Sequence, residues 1–98
     1  MIVIWKKKAS KSLNGIFNYI AKDSENRAFD VVFKIREYTE ALVLFPEKFE
    51  REHNIKGERN IRREIIYSYK IIYEVTTDAI FILDIFHTAQ NTDKLNTL

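Results

Sequence analysis

The chain contains no cysteine. That excludes a disulfide framework and every thiolate metal site. Glycine and proline are nearly missing, at two and one in 98 residues, so the elements are expected to be long and the loops few. No Gly-rich phosphate loop, internal repeat or low-complexity tract is present. No apolar run approaches the ~20 residues that a membrane span requires, and no membrane partner is expected. Only five residues precede Lys6-Lys7-Lys8, too few for the apolar stretch of a secretory signal. A cytoplasmic location is the expectation. The two histidines, His53 and His87, stand apart and make no ligand pattern with the acids, so neither metal nor cofactor is expected. Neither sign of charge dominates: the net charge of +2 permits an acidic partner without requiring one.

What is present is a globular composition, 46% hydrophobic and 31% charged, at a length that fits one domain over residues 1–98. Ile2-Val3-Ile4-Trp5 is β-branched and aromatic and predicts a first strand. Ala9, Leu13, Ile16, Phe17 and Ile20 then repeat at helical spacing. Asp23 or Ser24 can cap a second helix, with Glu25 at its positive end. Ala28, Val32, Ile35, Thr39 and Leu42 form that helix's inner stripe, widened by Val31, Tyr38 and Phe45, and Pro46 is expected to stop it. Residues 47–60 read as mostly irregular, anchored by Phe49 and Ile55. From Ile61 the pattern becomes strand-like: Ile65 to Tyr67, Tyr69 to Val75, and Ile80 to Phe86. The last two join through Thr76-Thr77-Asp78 as a hairpin. Residues 88–98 are polar and read as a flexible tail or a short helix. Helices followed by strands predict an α+β fold: an N-terminal strand, an antiparallel helical hairpin, and an antiparallel β-meander packed against it. A single antiparallel sheet is the expected form.

Four features could carry function, and each has a plain structural counterpart. Lys6, Lys7, Lys8 and Lys11 form a basic opening with no acid among them. It suits phosphates or an acidic peptide; equally, lysines guard an edge strand against pairing with another sheet. Arg62 and Arg63, after Arg59 and before Glu64, would point to opposite faces of a strand, so only one can meet a given ligand. Lys70 lies among Tyr67, Tyr69 and Tyr73. A cation between rings can hold phosphate or stack on bases; the alternative is a half-buried sheet whose lysine snorkels. His87 follows the last apolar run and is either a structural histidine or a general acid for a leaving 5′ oxygen.

The ordered set Trp5, Ala9, Leu13, Ile16, Tyr19-Ile20, Asp23-Ser24, Ala28, Ile35, Leu42 and Phe45-Pro46, then Arg62, Tyr69-Lys70-Ile71-Ile72-Tyr73-Glu74-Val75, Ile80-Phe81-Ile82-Leu83 and Phe86-His87, resembles the RelE/ParE superfamily of bacterial type II toxins. The likeness runs from about residue 2 to 90, and the helical half with its Phe-Pro end looks most like the ParE branch. The resemblance implies a small α+β toxin that inhibits growth and is encoded beside an antitoxin. The antitoxin's C-terminal segment would wrap and neutralise it, giving a toxin–antitoxin hetero-oligomer. RelE-like members cut mRNA in the ribosome without metal, using Arg and Lys to neutralise developing charge. ParE-like members bind DNA gyrase and stall it on broken DNA.

By position, Lys70 stands where nuclease members usually keep an Arg, Arg63 near their strand lysine, and His87 where some keep a catalytic histidine. Lys in place of Arg loses the two-pronged grip on phosphate. No aromatic residue follows Phe86, so the C-terminal Tyr common among the nucleases has no counterpart. A net charge of +2 is low for docking on ribosomal RNA. The expectation is therefore a gyrase-binding, ParE-like toxin, with Lys6, Lys7, Lys8 and Lys11 facing a partner. The alternatives are a metal-independent mRNA endonuclease using Arg62, Arg63, Lys70 and His87, and an inactive module that only binds antitoxin.

Overall fold

The structure, a computed structural model, describes residues 1–52 and 57–89. Its elements run β1 (Ile2–Trp5), α1 (Lys7–Ala21), α2 (Glu25–Glu40), a 3₁₀ turn (Ala41–Val43), β2 (Ile61–Ile66), β3 (Tyr69–Val75) and β4 (Ala79–His87). α1 buries Ala9 and Leu13, with Ile16 and Ile20 against the same core. Ser24 has extended backbone, and its hydroxyl accepts the Arg27 N–H at 3.1 Å, while Glu25 occupies the first turn of α2. The cap satisfies one otherwise unpaired donor and fixes where the helix begins. Ser24→Ala is expected to lower unfolding free energy by about 1 kcal/mol; an unchanged urea midpoint would show that the cap contributes nothing.

α2 buries Ala28, Val31, Ile35 and Thr39, but it does not continue to Pro46 as the stripe predicted. The Thr39 hydroxyl donates to the Arg36 carbonyl at 2.9 Å, a back-bond that helical threonines make. The backbone then tightens into the 3₁₀ turn. This change of pitch drops Leu42 into the core at 3% exposure. It also turns the following residues outward. Phe45 lies exposed beyond the turn and Tyr38 is exposed on the helix, rather than widening the buried stripe.

The strands form one sheet in the order β1-β4-β3-β2. β2, β3 and β4 are the expected antiparallel meander. β1, however, joins β4 in parallel, from Ile2 opposite Ala79 to Trp5 opposite Ile82, so the sheet is mixed rather than antiparallel throughout. The cause is the connection. Two helices separate β1 from the meander, and a crossover of that length does not impose the reversal that a tight hairpin does. Both helices pack on one sheet face, where Leu13 and Ile35 meet Ile71, Tyr73, Ile80 and Ile82. Ile61, Ile72, Leu83 and Phe86 form a second, smaller cluster on the opposite face.

Two irregularities position side chains. Ile72 pairs with Asp84 but Tyr73 pairs with Ile82, so Leu83 is an extra residue in β4. Such a bulge re-aims its neighbours; here the Asp84 carboxylate accepts the Ser12 hydroxyl of α1 at 2.6 Å. The second is the segment before β2. Arg51 lies opposite Arg62, with Glu52 N–H donating to Ile61 and Arg63 N–H to Glu50 at 2.9 and 3.0 Å. Phe49 packs against the helix-side core as expected. The other anchor named from sequence, Ile55, lies outside the described residues, as do His53 and positions 90–98 of the tail.

Candidate functional site

The sequence singled out two groups of cations, and the fold treats them differently. Arg62 and Arg63 are neighbours on β2 and point to opposite faces. Arg62 is on the helix side and ties down the 47–49 segment. Its Nε donates to Asn60 Oδ1 at 2.9 Å, and its terminal nitrogens to the Phe49 carbonyl at 2.7 Å and the Glu47 carboxylate at 3.1 Å. Arg63, on the far side, donates to the Arg51 carbonyl and the Glu50 carboxylate, each at 2.6 Å. Lys70 shares that far face, being paired across the sheet with Phe86. Its Nζ lies 3.6 Å from the buried Glu52 carboxylate. His87 pairs with Tyr69 on the helix side, ring edge to ring face at 5.6 Å, and its Nδ1 accepts the Ala89 N–H at 3.1 Å. The four side chains therefore divide two and two between the faces. Arg62, Arg63 and Lys70 all hold the stretch from 47 to 52.

The basic opening lies at the other end of the sheet, where β1 gives way to α1. Lys6 sits over the Phe81 ring at 5.0 Å, Lys8 is 3.7 Å from Asp84, and Lys7 and Lys11 are exposed. The first turn of α1 has no acid, and its cap residue makes no side-chain bond. Three lysines thus crowd the positive end of a helix dipole, an arrangement that costs stability. Buried Asp84 offsets part of it.

A third feature was not singled out from sequence. Glu64 follows Arg62 and precedes Ile66 in the alternation of β2, which places it on the helix-side face. It is buried, and burial pushes its carboxyl up to about 7, with Lys48 pulling slightly the other way. Its charge in turn raises Tyr73, which burial pushes up to about 12, while Arg62 draws it down. The available signal was an acid at an inward position between residues whose neighbours are apolar. The run of arginines before it hid that signal. Glu64 lines a groove of about 560 Å³ between the end of α2 and β2. Among the described residues no group of His, Cys, Asp and Glu could hold a metal, and no helix is long and apolar enough to cross a membrane.

This assembly of one strand, a helical hairpin and a three-stranded meander has known relatives. A family model, the ParE toxin of type II toxin-antitoxin system, parDE, matches residues 3–92. The chain belongs to the ParE toxin family. Among solved structures, a chain described as "Chromosomal ParDE TA system from P. aeruginosa" superposes with a TM-score of 0.75 at 22% identity, covering 89% of this chain and 95% of that one. At that identity the likeness speaks for the fold. No curated protein matches in sequence. The ParE family model takes in every element from β1 to β4. The ParE branch inferred from the Phe-Pro end of the helical half is thus the family found.

Proposed function

We propose that this ParE-family chain is the toxin of a type II toxin–antitoxin pair in the cytoplasm. A cognate antitoxin neutralises it, and it acts by binding DNA gyrase rather than by cutting RNA. The observation that carries the second half is the division of Arg62, Arg63, Lys70 and His87 between two sheet faces, with three of them engaged in holding residues 47–52. Phosphodiester cleavage needs cations and a proton donor converging within hydrogen-bond reach of one phosphate. Lys6, Lys7, Lys8 and Lys11, gathered at one edge, are the surface for an acidic stretch of the antitoxin.

Two assays on the purified chain test this. With gyrase and plasmid DNA, supercoiling activity is expected to fall and cleaved DNA to accumulate, equally for the wild type and His87→Ala. With ribosomes programmed with mRNA, no cuts are expected. Site-specific mRNA cleavage that vanishes in Lys70→Ala or His87→Ala would establish the endonuclease instead. A chain inert in both assays and harmless when expressed in bacteria would establish the inactive, antitoxin-binding module.

A further inference from the structure

The described buried carboxylates of this chain are met by partners, with one exception. Asp84 receives the Ser12 hydroxyl, the Ile85 N–H and Lys8. Glu52 faces Lys70. Glu64 is only 7% exposed, yet its Oε2 accepts no hydrogen bond. An ionised oxygen in that position is costly unless a cation or donor reaches it. Lys48, at the groove's rim, rests over the Phe49 ring at 5.3 Å instead.

The surroundings of Glu64 are equally unusual. Leu44 and Phe45 stand 70% and 69% exposed at the mouth of the groove, joined by exposed Tyr38 and Ile65. Large apolar side chains around one polar centre are what shields a buried ion pair from water at a protein interface. The 50–52 segment pairs with β2 only as far as Arg63, so the groove also borders the stretch of β2 edge that carries no strand among the described residues.

We infer that a segment of the antitoxin lies in this groove and pairs a lysine or arginine with Glu64, its flanking apolar residues covering Leu44 and Phe45. This rests on the reading that an antitoxin neutralises the chain. It places a cation of the antitoxin at one edge of the sheet, whereas the lysines of the basic opening hold its acidic stretch at the other. Lys48 does not oppose the pairing strongly, because its charge is exposed and screened.

The probe is the antitoxin encoded in the neighbouring reading frame, titrated against the full chain. Glu64→Gln is expected to weaken the complex roughly 30-fold or more, the usual result of removing one partner of a buried charge pair. Phe45→Ala, which removes only exposed surface, is expected to weaken it roughly 10-fold. One Lys or Arg of the antitoxin should be costly to replace against the wild type and silent against Glu64→Gln. In carbon-13-labelled chain, the Glu64 carboxyl midpoint should fall by about two pH units on binding, equivalent to roughly a hundredfold preference for the ionised form. Wild-type affinity in both variants, with an unmoved carboxyl midpoint, overturns the docking and leaves the antitoxin reading intact. No complex with the wild type overturns both. A self-association of the free chain that Glu64→Gln abolishes would assign the groove to a second copy and also overturn it.

Discussion

Glu64→Gln is expected to make the free chain more stable at pH 8 and to change little at pH 4. The carboxyl's ordinary value of 4.5 is raised by burial to about 7 in the fold. Between those two values the folded state binds the proton more tightly than the unfolded state. Stability associated with the neutral carboxyl is therefore full below about pH 4.5 and is lost as pH rises towards 7. Above pH 7 the folded chain carries an ionised, poorly solvated Glu64 at a cost of about 3 kcal/mol. The groups facing it modify this only in part: Lys48 favours the charge, while Tyr73 stays protonated well past neutrality. Comparing urea denaturation of the two proteins at pH 4, 6 and 8 isolates the residue. Glu74, held low by its bonds to Arg59, titrates alike in both. A stability difference that stays flat across that range would refute the assignment. Paired with the binding experiment, the result describes a trade: the variant that folds better should hold its antitoxin worse.

Tyr73→Ala should be the most damaging single truncation in the core. Tyr73 is fully buried on the helix-side face and is the largest side chain with no exposure. Its loss should cost about 3–5 kcal/mol through forfeited burial and the cavity left behind. That is a large share of the ~5–15 kcal/mol by which such domains are stable. Tyr73→Phe should cost less than about 1 kcal/mol, because the hydroxyl reaches the Pro46 carbonyl only at 3.5 Å. Denaturant midpoints for the two variants separate the contributions. If Phe were as harmful as Ala, the hydroxyl and not the ring would be holding the 46–49 stretch in place.

Much of this fold was legible because local chemistry and long-range packing agree. Ile2 to Trp5 can hardly be anything but a strand, and Ser24 begins α2 because its hydroxyl has a backbone donor to take. The meander followed from three β-branched runs with short polar joints. What the residues could not specify were the outcomes of competition. α2 gave way to the 3₁₀ turn that carries Leu42 into the core before Pro46 was reached. The direction of β1 was left open by the length of the helical crossover, and the fold takes the parallel pairing with β4. At the site, alternation correctly separated Arg62 from Arg63. It could not say that both are taken up by carbonyls and carboxylates of the 47–52 stretch, since that stretch has no periodic pattern. Glu64 was missed for the opposite reason: its inward position was readable, but a charged residue in a charged run looks like ordinary surface.

The pairing of Ile2 to Trp5 with Ala79 to Ile82 also sets an order of events during synthesis. Of the described strands, the first to be made is an edge of the sheet and must lie beside the last to be made. It therefore waits, solvent-facing, while the helices and two further strands leave the ribosome. Contacts so distant along the chain are slow to close. The nascent chain thus passes through an interval in which its sheet is incomplete and β3 has one flank uncovered, and during that interval a partner already in the cell could meet it before it is finished.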